Sequence, residues 1–169
     1  VVWTFAPALS VPRNDRWGRT YEGFAEDPEL VGQLGSAFVK GLQGEGDEFL
    51  DENHILATSK HFAGDGGTFD GIDQGDVRLS KEEFYSLHVS PYTPAIDACT
   101  QTIMSSFNSF QGKKLHGDKS LLTDLLKNEM SFDGFIVGDW NGHGQVKGCS
   151  NESCPEAFNA GVDIYMAPD

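Results

Sequence analysis

An aspartate and a tryptophan stand side by side where an apolar segment of the chain ends. Asp139 and Trp140 directly follow residues 134–138. A carboxylate at the end of a strand could attack an anomeric carbon, while a neighbouring indole covers the apolar face of a pyranose ring. Taken by themselves, the two residues fit a structural use better, in which Asp139 caps the following turn and Trp140 packs beneath a loop.

A pair of nitrogen-bearing side chains, Lys60 and His61, closes another apolar segment. Both carry donors that could hydrogen-bond sugar hydroxyls. For the pair alone, a surface lysine beside a buried and hydrogen-bonded histidine is the simpler interpretation. The two interpretations differ in whether the pair shares an edge of the fold with Asp139.

Three arginines surround Trp17 and could form a basic aromatic patch. They could equally be the ion-pairing partners of nearby carboxylates, with one arginine buried in a carboxylate-rich pocket. The arginines are Arg13, Arg16 and Arg19, and the carboxylates are Asp15, Glu22, Glu26 and Asp27.

The glycine-rich stretch at residues 64–68 predicts neither a phosphate loop nor a metal site. It lacks the lysine and the spacing of a Walker motif. Four aspartates in and after it miss the EF-hand spacing, so we expect a solvated acidic loop. They are Asp65, Asp70, Asp73 and Asp76. No metal ion and no organic cofactor is therefore expected.

Short apolar segments alternate with helix-like segments along the chain. The predicted strands cover residues 4–8, 55–60, 102–107, 134–138 and 162–166. Their apolar runs lack strict alternation, which is typical of strands buried on both faces. The predicted helices cover residues 28–42, 80–98 and 118–130, of which the first begins at a proline and the second at a capping box.

This order of elements predicts an α/β fold with parallel strands. Polar residues cluster directly after the strands, where a (β/α)8 barrel carries its chemistry. A doubly wound open sheet would place ligands at the same kind of edge. About five βα units are visible, whereas a complete barrel needs about 250 residues. We therefore predict an incomplete (β/α)8 TIM barrel.

The acidic composition limits the partners. A net charge of −14, from 26 acidic and 12 basic residues, would repel nucleic acid and anionic membrane surfaces, so a neutral or cationic ligand is easier to accommodate. A sugar fits this constraint but is not required by it. No apolar run approaches the length of a transmembrane helix. The chain starts at Val1 without an initiator methionine or a basic leader, which predicts that the true N-terminus is missing.

Cys149 and Cys154 lie close together in a loop-like stretch, whereas Cys99 lies in a helical pattern. We favour pairing the first two, although two free thiols fit the spacing about equally well. Zinc is a poorer interpretation, because no second Cys or His pair follows and His143 alone does not complete a tetrahedral site. A disulfide would imply an oxidising compartment.

Four long stretches of the chain resemble, in order and spacing, the N-terminal barrel of glycoside hydrolase family 3. The resemblance covers essentially the whole chain and is closest to bacterial and plant exo-acting β-glucan glucohydrolases and β-glucosidases. The stretches are FAPALSVPRNDRWGRTYEGFAEDPELV, SKHFAGDGGTFDGID, MSSFNSFQGKKLHGDKSLLTDLLK and GFIVGDWNGHGQV.

The resemblance implies roles for individual residues. Asp139 matches the catalytic nucleophile of the family, and Trp140 matches a residue that lines the glycone site. Arg19 matches a residue that holds sugar hydroxyls and a neighbouring carboxylate. Lys60 and His61 match the pair that hydrogen-bonds the same sugar ring.

One departure from the family concerns Phe107, which stands where the plant enzymes carry a tyrosine near the nucleophile. The hydroxyl contact expected there is absent. The loop at residues 63–73 has no histidine, whereas family members that cleave amino sugars carry their acid/base histidine in this loop. The resemblance therefore implies the subgroup that takes its acid/base from elsewhere.

The resemblance also implies that residues 1–169 are part of a larger protein. The first barrel units, with one more sugar-binding aspartate, are expected outside this chain. A C-terminal α/β sandwich domain, with a glutamic acid as the acid/base, is expected to follow. A retaining glycosidase needs two carboxyl groups about 5–5.5 Å apart, so the chain alone is expected to be nearly inactive.

The function that the resemblance implies is exo-acting, retaining hydrolysis of terminal non-reducing β-D-glucosyl residues through a covalent glucosyl-Asp139 intermediate. The expected substrate is a β-glucoside or a β-glucan oligosaccharide. A family relative acting on another glycone, such as a β-xyloside, and a non-catalytic sugar-binding remnant are the alternatives. The cysteine pair and the polymeric substrate favour a periplasmic or secreted location.

Overall fold

The computed structural model describes residues 2–168, in which strands and helices alternate. The strands are β1 (Thr58–Phe62), β2 (Asp76–Val77), β3 (Thr102–Ser105), β4 (Ser109–Phe110), β5 (Lys113–Lys114) and β6 (Phe135–Val137), and the helices are α1 (Pro28–Gln43), α2 (Lys81–Phe84), α3 (Tyr92–Asp97) and α4 (Pro155–Ala160). Tyr85–Val89 and Ser120–Glu129 are π-helical. Short 3-10 turns lie at Asp15–Trp17, Thr20–Glu22, Gly46–Glu48, Asp65–Gly67, Phe69–Gly71, Leu115–Gly117 and Gly142–Gln145.

The central sheet is parallel, and its strand order follows the chain. β3 lies between β1 and β6. A flanking segment pairs with each outer strand through isolated parallel bridges: Ala8 with Lys60 on one side, and Val137 with Ile164 on the other. A doubly wound sheet reverses its order at one point, whereas a barrel keeps the chain order. Within residues 2–168 the order does not reverse, which favours the barrel.

The three central predicted strands are confirmed, with ends shifted by a few residues. The predicted strands at residues 4–8 and 162–166 are reduced to single bridges. Within the described residues, each of these segments has a hydrogen-bonded neighbour on one side only. Pro7 also lacks a backbone N–H for the ladder. A full strand there depends on pairing that the segment's own sequence does not determine.

The predicted helix at residues 28–42 is confirmed as α1. The side chain of Asp27 accepts the backbone N–H of Leu30 at 2.8 Å and caps the helix start, and Pro28 occupies the first turn, where its missing N–H costs nothing. The helix ends at Gly44, whose φ of 74° favours glycine. Val31 and Val39 face the core.

The predicted continuous helix at residues 80–98 is wrong in its middle. The capping box is present, since Ser80 and Glu83 exchange hydrogen bonds between side chain and backbone. The helix then widens over Tyr85–Val89 and restarts as α3 after Pro91, because proline cannot donate the helical hydrogen bond. Similarly, the predicted helix at residues 118–130 is the π-helical segment Ser120–Glu129.

The core lies between the parallel sheet and the helices. Phe62, Ile103 and Ile136 project from the three central strands and are fully buried. Phe62 packs edge to face on Tyr92 of α3, with ring centroids 4.9 Å apart. Phe62 is the last residue of β1, so this packing holds the end of the strand that carries Lys60 and His61. Within residues 2–168, none of the helices combines the length and apolar character that a membrane crossing requires.

Candidate active site

The carboxyl ends of the parallel strands bring the main predicted residues together. Lys60 and His61 lie near the end of β1, and Asp139 follows β6 after one glycine. Arg19 comes from the loop after the first flanking segment. Nε2 of His61 lies 3.2 Å from Nη2 of Arg19 and 3.7 Å from Oδ2 of Asp139. Three separate parts of the chain therefore meet at one edge of the sheet.

Asp139 is held by its main chain and by one of its two carboxylate oxygens. Its backbone N–H donates to Nε2 of His116 at 2.9 Å, and its Oδ1 accepts the backbone N–H of Trp140 at 2.7 Å. Oδ2 is the oxygen that faces His61. The side chain is 13% exposed, so it is sheltered but reachable. The turn-capping use of Oδ1 leaves Oδ2 available for chemistry.

Glu22 joins Arg19 to Lys60. Arg19 donates from Nε to Oε1 at 2.7 Å and from Nη2 to Oε2 at 3.1 Å, and Nζ of Lys60 lies 3.6 Å from Oε2. The hydrogen bond from Arg19 lowers the pKa of Glu22, and the charge of Lys60 lowers it further against the effect of partial burial. The same hydrogen bond raises the pKa of Arg19. The carboxylate stays ionised and fixes both cations.

Asp65 is buried beneath His61, so the expected solvated loop is wrong at this position. Asp65 is 6% exposed, and its Oδ2 lies 2.8 Å from Nδ1 of His61 and 2.7 Å from Oγ of Ser10, which donates to it. Burial raises the pKa of Asp65, but these hydrogen bonds and the charge of Arg19 outweigh it, so the pKa lies below its ordinary value. Asp65 is therefore an ionised anchor.

Glycine geometry explains why this loop turns inward. Gly64 has a φ of 96°, and a Cβ there would lie 2.7 Å from Cε2 of Phe84. Only glycine fits both conditions. The expectation of a solvated loop holds for Asp70 and Asp73, which are exposed.

The two nitrogens of His61 have different partners. Nδ1 faces the ionised carboxylate of Asp65 and carries the proton that it donates. Nε2 then accepts from Arg19 when the ring is neutral, or donates towards Asp139 when the ring is protonated. Asp65 thus determines the face of the imidazole that His61 presents to the site.

Trp140 and Phe107 border the same region. Trp140 is 58% exposed, which excludes the alternative that it packs beneath a loop. Phe107 is half-buried, and its ring centroid lies 6.1 Å from that of His116. Both aromatic residues are therefore adjacent to elements that hold Asp139.

The basic aromatic patch around Trp17 does not form. Trp17 is buried, whereas Arg13 and Arg16 are exposed. Arg13 donates to the backbone carbonyl of Glu26 at 3.1 Å. Of the three arginines, Arg19 is the one that reaches the strand ends, in agreement with the expectation of one arginine in a carboxylate-rich pocket.

Cys149 and Cys154 form a disulfide in the loop after β6. Cys99 is exposed and follows α3 with a φ of 61°, so its predicted helical position is wrong. Within the described residues, the group of metal-ligating side chains that lie together is Cys149, Cys154 and Glu156. Because both sulfurs are in the disulfide, neither offers a thiolate to a metal.

Sequence reasoning missed two side chains that hold the site, Asp65 and His116, whereas Glu22 was among the expected ion-pairing partners of the arginines. The structure confirms the ion pair of Glu22 with Arg19. Asp65 stands four residues after His61, but its residue type in a glycine-rich loop indicates exposure. Nothing in the sequence around His116 indicates burial.

Comparison with known proteins establishes the family. The model described as "Glycosyl hydrolase family 3 N terminal domain" matches residues 1–169. The chain belongs to glycosyl hydrolase family 3. Its family 3 match covers the whole sequence, as the long resembling stretches predicted.

Relatives of this family 3 chain carry two kinds of name. A protein named beta-xylosidase from Formosa agariphila is 39% identical over 98% of this chain. A protein named periplasmic beta-glucosidase from Salmonella typhimurium is 34% identical, also over 98% of this chain. The chain spans 24% and 22% of the length of these relatives.

Solved structures of the family confirm the predicted fold class. The exo-1,3/1,4-beta-glucanase from a Pseudoalteromonas species superposes on 100% of this family 3 chain with a TM-score of 0.98 and 49% identity. The match covers 21% of that glucanase. The fold is a partial (β/α)8 barrel, as the order of the strands indicates.

Proposed function

We propose that the protein containing this family 3 segment hydrolyses terminal non-reducing β-D-glucosyl residues with retention of configuration. Asp139 would attack the anomeric carbon and form a covalent glucosyl-aspartate intermediate. The observation that carries this proposal is the placement of Asp139 Oδ2 at the strand ends beside His61 and Arg19. The names of the relatives support the class of reaction.

The residues around Asp139 suit a neutral, hydroxyl-rich ligand. Arg19, Lys60 and His61 supply donors that are already oriented by Glu22 and Asp65, so binding a sugar costs little further ordering. We propose that these three donors hold the glycone hydroxyls. We further propose that the exposed indole of Trp140, with Phe107 behind it, covers an apolar face of the sugar.

We propose that the acid/base comes from the rest of the polypeptide. A general acid needs a pKa raised towards the working pH. The carboxyl groups nearest the site, Glu22 and Asp65, have lowered pKa values and are engaged by cations and hydrogen bonds. Residues 1–169 would then be a partial N-terminal barrel domain. Earlier barrel units and a C-terminal α/β sandwich domain would complete the site.

β-Xyloside hydrolysis is the second candidate, because a relative named beta-xylosidase is 39% identical to this chain. The two sugars differ by the hydroxymethyl group of glucose. The full-length protein separates the candidates by its kcat/KM for an aryl β-glucoside and for the matching aryl β-xyloside. A higher value for the xyloside would replace the glucoside proposal and leave the mechanism unchanged.

We infer a periplasmic or secreted location for the protein. The disulfide between Cys149 and Cys154 persists in oxidising compartments. A relative is named a periplasmic beta-glucosidase. The proposed substrate is a β-glucoside or β-glucan oligosaccharide, and the proposed chemistry requires no cofactor.

The test is hydrolysis of an aryl β-glucoside by the full-length protein, by its Asp139→Asn variant and by the isolated 169-residue chain. We expect activity in the unmutated full-length protein alone, and a loss of at least about 10⁴-fold in the variant. Undiminished activity in the variant would rule out Asp139 as the nucleophile. Activity in the isolated chain would place the acid/base within residues 1–169.

Two further outcomes are informative. A 2-fluoro glucoside whose intermediate hydrolyses slowly should label Asp139, which mass spectrometry of peptides detects. Glucose binding without hydrolysis by any version of the protein would instead support a non-catalytic sugar-binding remnant.

A further inference from the structure

His116 lies directly beneath the loop that carries Asp139. It stands in the turn Leu115–Gly117 after β5, and it is 0% exposed. Its Nε2 accepts the backbone N–H of Asp139 at 2.9 Å. This bond joins a buried side chain from one strand connection to the main chain of another.

Two glycines make room for the imidazole of His116. Gly138 and Gly142 lie on either side of Asp139 in the chain. A Cβ at Gly142 would overlap the ring, and a Cβ at Gly138 would lie 3.4 Å from its Cδ2. Phe107 packs near the ring, with centroids 6.1 Å apart. The loop therefore closes over the imidazole, and the ring limits how far the loop can move inward.

The imidazole of His116 is neutral near pH 7. Burial lowers its pKa to about 3, and the nearby His143 contributes to the lowering. Because Nε2 accepts a hydrogen bond, the proton of the neutral ring lies on Nδ1. A backbone hydrogen bond with Ser106 opposes this lowering of the pKa but does not outweigh burial.

We propose that His116 is a positioning residue, which holds Asp139 by its main-chain amide so that Oδ2 points towards the reacting carbon; this rests on the proposed function. An acceptor for the amide fixes the backbone next to the carboxylate without binding either carboxylate oxygen. Oδ1 is already used by Trp140, and Oδ2 stays free to attack. Misplacing such a group by about 1 Å costs about a hundredfold in rate.

Three variants of the full-length protein test the proposal. His116→Leu removes the acceptor and keeps a buried apolar side chain. His116→Gln places an amide oxygen close to the position of Nε2. Leu122→Ala is the control, because Leu122 is fully buried in the helical segment Ser120–Glu129, outside the loop that carries Asp139, and its truncation weakens the core.

We expect His116→Leu to lower kcat for an aryl β-glucoside about a hundredfold, with KM changed less than about threefold. His116→Gln should recover most of that loss. Leu122→Ala should lower Tm and leave kcat unchanged. If His116→Leu lowers Tm as the control does and also keeps kcat, His116 is only structural and the proposal is overturned.

A second readout does not depend on glycosidase activity. Hydrogen exchange at the Asp139 amide, measured by mass spectrometry with fragmentation, should be slow in the unmutated protein and in His116→Gln, and fast in His116→Leu. Fast exchange in the unmutated protein overturns the proposal. If the full-length protein hydrolyses no β-glycoside, exchange at the Asp139 amide can still be slow with His116 or Gln and fast with Leu at position 116. That result would support the positioning contact and overturn the proposed function alone.

Discussion

In one half of the candidate site, side chains hold one another by charge, whereas in the other half a neutral ring holds the main chain. The charged half contains Arg19, Glu22, Lys60, His61 and Asp65, which are joined by ion pairs and hydrogen bonds. The other half, which we call the neutral half after the uncharged imidazole of His116, contains Phe107, His116, Asp139 and Trp140. In it, His116 accepts the backbone N–H of Asp139. Both halves meet where His61 faces Asp139.

The difference follows from what each half would do in the proposed reaction. Donors that bind hydroxyls tolerate being anchored by carboxylates, because each cation keeps further N–H groups for a ligand. A nucleophile loses reactivity when its own oxygens are bound by cations, since that stabilises the charge it must share with the sugar. Orienting Asp139 through its backbone avoids this loss. Removing a charge should therefore disturb the orientation of the side chains in the charged half. Removing the acceptor of the Asp139 amide should disturb the position of Asp139 in the neutral half.

The largest expected effect in the charged half is that of Asp65→Asn. The change weakens the acceptor for His61 and Ser10 inside the core, so we expect the free energy of unfolding to fall by about 3 kcal/mol. Loss of His61 orientation should lower kcat/KM of the full-length protein about a hundredfold. Urea denaturation and steady-state kinetics measure the two effects.

Asp70→Asn is the matched control, because Asp70 is exposed in the same loop. It should change stability by less than about 0.5 kcal/mol. Equal losses of unfolding free energy in Asp65→Asn and Asp70→Asn would contradict the view that the ionised, buried Asp65 anchors the charged half.

As the pH falls, the contribution of His116 in the neutral half to folding stability should be lost before the contributions of Asp65 and Glu22 in the charged half. The pKa of folded His116 is about 3, below the unfolded value of about 6.5. Its contribution to stability is complete above that value and falls as the pH drops towards 3, by about 2 kcal/mol at pH 5. Asp65 and Glu22 have lowered pKa values, so their contribution is lost only below about pH 4.

The measurement is urea denaturation of the unmutated protein and of His116→Gln at pH 7 and pH 5. Between these pH values the unmutated protein should lose about 2 kcal/mol more than the variant. Between pH 7 and pH 8 the two should change in parallel. If the free energies of unfolding of the two proteins change in parallel from pH 5 to pH 8, His116 does not remain neutral in the folded state.

The barrel and the meeting of its strand ends were predictable from the sequence because they depend on local patterns. Apolar runs followed by polar residues place Lys60, His61 and Asp139 at the ends of parallel strands, and parallel strands share an edge. The flanking segments at residues 4–8 and 162–166 were not predictable in the same way. Whether they form full strands depends on neighbours outside each segment.

The supporting residues of both halves escaped prediction for different reasons. Asp65 was expected in solvent, because a short acidic, glycine-rich stretch gives no indication that Gly64 turns it towards the core. His116 is neutral only because it is buried, and burial at that position results from how the Asp139 loop folds over it. The roles of Asp139 and its neighbours remain predictions of the family resemblance until turnover is measured.

Removing the disulfide between Cys149 and Cys154 tests whether this crosslink is required to position Asp139. Replacing Cys149 and Cys154 by serine removes a short crosslink and should lower the free energy of unfolding by about 2 kcal/mol. The loop keeps the bond between His143 Nε2 and the backbone carbonyl of Asn151. We therefore expect kcat to fall less than about tenfold, far below the effect of His116→Leu.

Cys99→Ser serves as the control, because Cys99 is exposed and unpaired in the structure. It should match the unmutated protein in denaturation and kinetics. A loss of kcat in the double serine variant as large as that in His116→Leu would show that the disulfide, rather than the imidazole, sets the position of Asp139.

The smallest expected effect is that of Arg19→Lys, which tests whether the two halves act independently. Lysine keeps the charge beside Glu22 but loses the two-pronged hydrogen bond and the contact with His61. If Arg19 only binds hydroxyls, KM for an aryl β-glucoside should rise about tenfold, which is about 1.4 kcal/mol, with kcat nearly unchanged. Arg16→Lys, at an exposed position, should change neither. A fall in kcat instead would mean that Arg19 acts on Asp139 through His61, so that the charged half also sets the reactivity of the carboxylate and the separation of the halves is wrong.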